Sequence, residues 1–338
     1  MPPMSLSTPV GNEPNSTLVS IITPSYNQGQ FIRETIESVL GQDYPDIEYW
    51  VIDGGSTDDT VAILRDYEHD PRFHWISERD SGQTEAINKG WARCHGDVLC
   101  WLNSDDCYTS PGAVSTQLEV LQRTPDVGLI YGDGIFVDED GGELAQFPTR
   151  DYSYPELLRV NYIMQPTVFV RRAIVEQVGL LDASFRFAMD RDYWLRCSSI
   201  TKFIYNPQTI ATYRLHQHSK TVDMNILLNI DSFGATCKHL ATPQGRTLAP
   251  KQRRILLASG LLNLAIRAIH AGEVELAIRM VRGASHLNRW DIRYASVLLA
   301  LVDRRFGWNI QPRLAGVLYF FLNPTLRHNR PFNESYNR

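Results

Sequence analysis

The sequence predicts an α/β protein in which a mostly parallel central sheet is flanked by helices and followed by a C-terminal helical extension. Three observations predict it. From Val19 to about Tyr131, short β-branched runs alternate with helical patterns, the signature of βαβ units with right-handed crossovers. A chain of 338 residues, 43% hydrophobic and 21% charged, can bury a large core. The charge is also unevenly divided. Residues Lys251 to Arg338 carry 14 Lys and Arg against 5 Asp and Glu, a net of +9; the remainder carries 19 against 33, a net of −14. An acidic body with a basic tail implies two surfaces, the second suited to an anionic partner.

In order, Met1 to Thr17 contain no Lys or Arg and no apolar block, so they read as a disordered leader (1–17) rather than a signal peptide. Val19–Ile22 is a buried first strand that stops at Pro24. Phe31, Ile32, Ile36, Val39 and Leu40 recur at helical spacing, predicting a helix over 30–41. Ile47–Ile52 is the next strand and ends on Asp53. Gly54-Gly55 turns the chain, and Ser56 or Thr57 caps a helix to about Tyr67. A strand at Phe73–Ile76, a polar loop from Ser77 to Gly82 and a helix from Gln83 to about Arg93 follow. Asp97 to Leu102 is a nearly continuous apolar strand, and Ser110-Pro111 supplies a cap and first-turn proline for a helix to about Arg123.

After a fifth strand at Val127–Tyr131 the pattern loosens. Ile135–Val137 and Glu143–Phe147 flank Asp140-Gly141-Gly142, a hairpin signal. A strand at Thr167–Val170, a helix from Ala173 to Val178 ended by Gly179, a helix from about Asp190 to Ser198, and strands at Lys202–Tyr205 and Ile210–Arg214 complete a body spanning 18–225. The extension, 226–338, holds helices at Ile255–His270, Val274–Ser285, Tyr294–Arg304 and Leu314–Leu322. Its two most apolar runs, Ala295–Val302 and Ala315–Leu322, fall well short of the ~20 residues of a spanning helix, so no transmembrane segment is expected. Five cysteines without a Cys-x-x-Cys pair suit a reducing cytoplasm.

The chemistry gathers where strands end. Asp105-Asp106, in Trp101-Leu102-Asn103-Ser104-Asp105-Asp106, stand where a buried strand leaves the sheet. Paired acids there are costly unless they meet solvent, a metal or a substrate, and such edges are where open α/β sheets bind ligands. A Mg²⁺ or Mn²⁺ site holding substrate phosphates is favoured over a solvated turn. Asp53 suits hydrogen bonds from a nucleotide base or ribose, equally a helix-capping turn. Asp190 and Asp192, at a helix start, suit a general base or plain first-turn acids. In Tyr213-Arg214-Leu215-His216-Gln217-His218-Ser219-Lys220 an imidazole suits a metal shell, and Arg214 or Lys220 a phosphate. No Gly-x-Gly-x-x-Gly, P-loop or Gly-x-Ser-x-Gly is present, which removes the usual evidence for dinucleotide oxidoreductases, P-loop kinases and α/β-hydrolases.

These pieces, in this order from about Val19 to Lys220, resemble an inverting glycosyltransferase of family 2, with the nucleotide-diphospho-sugar GT-A fold. Val19-Ser20-Ile21-Ile22-Thr23-Pro24-Ser25-Tyr26-Asn27 resembles the family's first strand and nucleotide loop, and Val51-Ile52-Asp53-Gly54-Gly55-Ser56-Thr57-Asp58 its second. Asp80-Ser81-Gly82-Gln83-Thr84-Glu85-Ala86 resembles the nucleotide side of the cleft. By this resemblance Pro24, Tyr26, Asp53, Asp80 and Gln83 bind the nucleotide, Asp105 meets the ribose or sugar, and Asp106 and His216 hold a divalent metal. Met189-Asp190-Arg191-Asp192 resembles the segment bearing the catalytic base, which points to Asp190. Asn103 departs from a strict Asp-x-Asp, and Met189 from the acid that often precedes the base.

The resemblance implies a metal-assisted transfer with inversion from a nucleotide-diphosphate sugar, with uridine favoured by family habit, to a saccharide or lipid-linked acceptor in polysaccharide or glycoconjugate synthesis. Nucleic acid is not an expected partner. The competing classes are a sugar-phosphate nucleotidyltransferase, disfavoured because Thr23 to Gly29 has no Lys or Arg, and a non-catalytic nucleotide-sugar binder. The basic tail reads either as a capping helical hairpin or as a peripheral contact with an anionic membrane through Arg304, Arg305 and Arg313 beside Trp308 and Leu314–Phe321.

Overall fold

The computed structural model describes residues 16–216 and 225–289, together with 291, 293, 294, 296, 297, 300 and 301. Residues 1–15 of the leader, His218, Lys220, Arg304, Arg305, Trp308, Arg313 and the Leu314–Leu322 helix lie outside the described residues. So does much of the Tyr294–Arg304 helix, whose described members Tyr294, Ser296, Val297, Ala300 and Leu301 are helical. The chain forms two compact units, Met1–Asp223 and Met224–Arg338.

The first unit runs β1 (Val19–Ser25), α1 (Ile32–Leu40), β2 (Ile47–Asp53), α2 (Thr60–Asp66), β3 (Phe73–Ser77), α3 (Gln83–Trp91), β4 (Val98–Trp101), β5 (Cys107–Tyr108), α4 (Ala113–Arg123), β6 (Val127–Val137) and β7 (Glu143–Gln146). It continues with α5 (Tyr154–Leu157), a 3-10 turn at Gln165–Thr167, β8 (Phe169–Arg171), α6 (Arg172–Val178), α7 (Met189–Cys197) and β9 (Lys202–Arg214). The sheet order is β3-β2-β1-β4-β8-β6-β9-β5, with β7 beside β6. Chain order turns back at β1: β2 and β3 lie to one side and β4 to the other. That reversal opens a crevice at the carboxyl ends of β1 and β4.

Parallel pairing is confined to β3-β2-β1-β4 and to β6 with β9; β8 is antiparallel to β4 and β6, β5 to β9, and β7 to β6. The sheet is therefore mixed, and the expected parallel character belongs to its first half. β1 continues through Pro24 to Ser25, since the β4 ladder ends at Ile22↔Trp101 and only β2 still pairs there. β6 and β9 are each one strand where the sequence suggested two. Gly132 and Gly134 hid the alternation of β6, and a Cβ on Gly134 would stand 1.9 Å from the Met164 sulfur. In β9, Pro207 and Gln208 bulge between the pairs Gly132↔Asn206 and Asp133↔Thr209.

Two expected caps move. Ser110 does not cap α4, which begins after Gly112, and neither Ser56 nor Thr57 caps α2. The Asp58 carboxylate accepts from the Thr60 N–H at 3.0 Å instead. One side of the core joins Val19, Ile21, Tyr49, Val51 and Cys100 to Ile32, Ile36 and Val39 of α1.

The second unit contains α8 (Asn225–Leu240), α9 (Pro243–Thr247), α10 (Pro250–Ala271) and α11 (Val274–Leu287). The break between α10 and α11 falls at Gly272, whose φ of 94° closes the helix in the left-handed region. Small and branched residues of α10 (Ala258, Leu262, Ala265, Ala268, Ile269) pack against Ala277 and Ala284. By length and composition α10, which the two shorter runs did not include, is long and apolar enough to cross a membrane; 44% of its most apolar window is buried within the fold. Composition of that kind also marks the core helix of a bundle.

Candidate active site

The loops leaving β1, β2 and β4 meet at one edge, and they are tied to each other before any ligand arrives. Asn27, with φ 51°, takes the Thr57 N–H on its side-chain oxygen at 2.9 Å and gives its own N–H to the Ser56 hydroxyl at 2.7 Å. The Gly29 N–H donates to Asp58 at 2.9 Å. Tyr26 projects from this knot 59% exposed, an open aromatic face at the crevice mouth.

Asp53 is wholly buried. Its Oδ2 accepts from the Gly55 and Ser56 N–H groups at 3.1 and 2.9 Å and from the Ser77 hydroxyl at 2.6 Å, while the Ser56 hydroxyl donates to Oδ1. It shapes the β2 turn, where Gly55 supplies a φ of 83°. Asp80 leans on that turn: a Cβ on Gly54 would approach its Oδ2 to 3.0 Å. Burial first, with repulsion from Glu85 and Asp53, raises the Asp80 carboxyl above its ordinary range, against the Gly82 N–H that it accepts at 2.8 Å.

A polar chain leads to the paired acids. Gln83 Nε2, at the start of α3, donates to Asn103 Oδ1 at 2.6 Å, and Asn103 Nδ2 donates to Asp106 Oδ2 at 2.9 Å. The Asn where a strict motif has Asp therefore supplies a donor that an acid there could not. Asp106 is 1% exposed, and its other oxygen accepts the Arg214 N–H at 3.0 Å. Burial, with the charge of Asp105, pushes its carboxyl well above the usual range. Asp105 is more open, and its Oδ2 stands 3.1 Å from His216 Nε2. The two acids thus have different surroundings: Asp106, to which the resemblance assigns the metal, is buried, and Asp105 is half-buried. His216, itself buried, holds its Nε2 against Asp105 and not against Asp106.

Arg214 is not a phosphate hand either. It is 4% exposed, and its guanidinium donates to the Asp105 carbonyl at 3.0 Å, the Glu139 carbonyl at 2.7 Å and Glu34 Oε2 at 2.5 Å. It also lies over the Phe31 ring, 5.1 Å from the centroid, and that ring packs against His216 at 4.8 Å. Arg214 staples α1, the acidic loop and the β6–β7 turn together.

The base candidate sits at the start of α7. Thr84 of α3 donates to the Met189 sulfur at 2.8 Å, which brings the two helix starts together. Asp190 is partly exposed, and burial raises its carboxyl above the ordinary range, against the Arg191 N–H and the amide of Asn161, which donates at 2.9 Å. Asp192 is 2% exposed and accepts from Arg196 at 2.8 Å. Of the two acids, Asp190 is the more accessible. Asn161, Phe31 and the structural role of Asn103 escaped the sequence reading, for no local motif marks contacts between residues so distant in the chain.

Residues 20–179 match the model of Glycosyl transferase family 2. A putative teichuronic acid biosynthesis glycosyltransferase, TuaG, of Bacillus subtilis is 33% identical over 60% of this chain and 81% of its own. The chain belongs to glycosyltransferase family 2. An uncharacterized glycosyltransferase of Rickettsia prowazekii is 28% identical over 61% of this chain and 66% of its own length, so the match spans just under two thirds of that relative. Among solved structures, S. aureus TarS 1–349 in complex with UDP-GlcNAc superposes with a TM-score of 0.56 at 13% identity, covering 80% of this chain and 90% of that one. A Pyrobaculum calidifontis mannosyltransferase in complex with GDP-Man and Mn²⁺ gives 0.53 at 18% identity over 87% and 88%. This glycosyltransferase family 2 chain has the GT-A fold those structures share, with the crevice at β1 and β4 as its cleft.

Proposed function

We propose that this chain transfers a sugar from a nucleotide-diphosphate sugar to an acceptor hydroxyl, with inversion, in the assembly of a polysaccharide or glycoconjugate. One observation carries the reading: Asp105 and His216 converge at the β4 exit, while a separate raised carboxyl, Asp190, stands at the start of α7. Family relatives named for chondroitin, teichuronic acid and O-antigen synthesis favour a saccharide-building role.

Tyr26 offers its exposed face to the base, with the Asp53 turn and Asp80 beside it. Among the described residues no group of three or more His, Cys, Asp or Glu is arranged for a metal ion. Asp105 and His216 would be the residues to hold a divalent cation, their carboxylate and imidazole being donors that suit Mg²⁺ or Mn²⁺ beside a diphosphate. Bound there, the ion supplies positive charge against the leaving diphosphate. Asp190 accepts the proton of the acceptor hydroxyl. That oxygen bonds to the anomeric carbon as the bond to the diphosphate oxygen breaks, and the configuration inverts. A uridine nucleotide is the favoured donor base.

The test is a thermal-shift panel of UDP-GlcNAc, GDP-mannose, UDP and GDP with and without Mn²⁺, followed by assay of nucleoside diphosphate release. A metal-dependent shift with a nucleotide sugar and release of its diphosphate is expected. Stabilisation by nucleoside triphosphate with sugar 1-phosphate, yielding pyrophosphate, would place the chain with the nucleotidyltransferases instead.

The basic C-terminal region, net +9, motivates a peripheral contact with the cytoplasmic face of an anionic membrane. Co-sedimentation with anionic but not neutral vesicles, lost at high salt, is expected; equal recovery in the supernatant of both rejects it.

A further inference from the structure

We infer that Asn161 is a positioning residue for Asp190, an amide held in place by the segment between α5 and the 3-10 turn and aimed at the base. The inference rests on Asp190 being that base.

The geometry begins with the segment's anchors. Immediately before Asn161, the last carbonyls of α5, those of Leu157 and Leu158, accept from the Arg191 guanidinium at 3.3 and 3.0 Å. Immediately after it, Tyr162 is fully buried. Its hydroxyl accepts the Ser153 N–H at 2.7 Å and donates to the Ser153 carbonyl at 3.1 Å, with the Arg150 guanidinium 5.4 Å over its ring. Asn161 thus has a fixed backbone on both sides, while its own side chain is partly exposed.

Its amide is oriented as well as placed. The oxygen accepts the Ile163 N–H at 3.4 Å, which leaves the nitrogen to face Asp190 Oδ2 at 2.9 Å. A donor to a carboxylate both fixes its rotamer and favours its ionised form. Being neutral, the amide does so without the full counter-charge that would weaken the base. The charged group acting on Asp190 is Arg191, whose burial pushes it down to about 10; Asp192 is turned to Arg196, and α3 presents the neutral Thr84 to Met189. Asn161 is the side-chain donor that does not belong to α7.

The experiment follows the pH dependence of Mn²⁺-supported nucleotide-sugar hydrolysis, in which water stands in for the acceptor. Wild type, Asn161→Ala, Asn161→Asp and Asp190→Asn are compared on UDP-GlcNAc and GDP-mannose, with the UDP–Mn²⁺ thermal shift recorded for each. Asn161→Ala is expected to lower the plateau rate by about tenfold, the scale of one hydrogen bond to a charged group, and to move the acid limb to higher pH. Asn161→Asp, nearly isosteric, moves it further, because a like charge raises the carboxyl. The UDP–Mn²⁺ shift stays at the wild-type value in both. An unmoved acid limb in both Asn161 variants overturns the inference even if the plateau falls, and so does loss of the UDP–Mn²⁺ shift. Asp190→Asn separates the two claims: its normal turnover removes the base reading itself, whereas its inactivity beside an unmoved limb in the Asn161 variants removes only the positioning role.

Discussion

The strand-end edge and the start of α7 are both acidic, yet they are built on opposite plans. At the edge, Asp53 holds four donors and Asp106 two, and each is buried. At the start of α7, Asp190 is partly exposed, receives one side-chain donor and is raised by burial. The difference separates two tasks. On the proposed reading, the donors fixed around Asp53 and Asp106 preorganise an edge that binds a charged leaving group without rearranging. Burial raises Asp106 as well as Asp190, so the proposed base role rests on the accessibility of Asp190 together with its raised carboxyl.

On the proposed reading, the largest effect outside the base falls on half-buried Asp105 and its buried partner His216. His216→Ala is expected to weaken Mn²⁺-dependent UDP binding on the order of 100-fold, scaled from the 10–100-fold loss typical of second-shell changes. Asp105→Asn should follow it. Calorimetric titration of UDP with and without Mn²⁺ reads this directly, and an unchanged Mn²⁺ dependence returns the metal to Asp106. Arg214→Ala comes next. It strips a buried guanidinium from three oxygen partners, two of them carbonyls, and is expected to cost about 3–5 kcal/mol in chemical denaturation. Glu34→Gln is the smallest. Glu34 is 62% exposed in its pair with Arg214, and such pairs contribute about 0–1 kcal/mol. A loss as large as that of Arg214→Ala would mean that the staple works through Glu34 rather than through the carbonyls.

The contrast also has a pH signature. Because the folded carboxyl of Asp190 is raised, its charge opposes folding above that raised value, and the opposition vanishes below the unfolded pKa. Asp190→Asn is therefore expected to stabilise the fold at neutral pH, with a gain that shrinks as the pH falls through the carboxylate range, measured by melting temperature against pH. A gain independent of pH would remove the charge as its cause.

Legibility in the sequence followed the same division. β1 to β4 and their helices were readable because β-branched runs and helical periodicity are local signals, and the positions of Asp53, Asp105, Asp106 and Asp190 at strand ends and a helix start followed from those same signals. The continuity of β6 and β9 was not, since Gly132 and Gly134 are small for the sake of Ile210 and Met164, neighbours that only the fold supplies. The burial of Asp106 beside the more open Asp105 was not readable either, for it depends on the backbone of Arg214, over a hundred residues away. α8 lay hidden because its pattern includes Gly234 and mixed polar positions that packing within the second unit overrides.

The most direct measurement takes Asp190→Asn through two assays on the same preparation: the UDP–Mn²⁺ thermal shift and nucleotide-sugar turnover. The account predicts a wild-type shift with turnover reduced by about 100-fold or more, the usual contribution of a positioned general base. Wild-type turnover, or loss of the UDP–Mn²⁺ shift together with turnover, would contradict the separation of the leaving-group edge from the base.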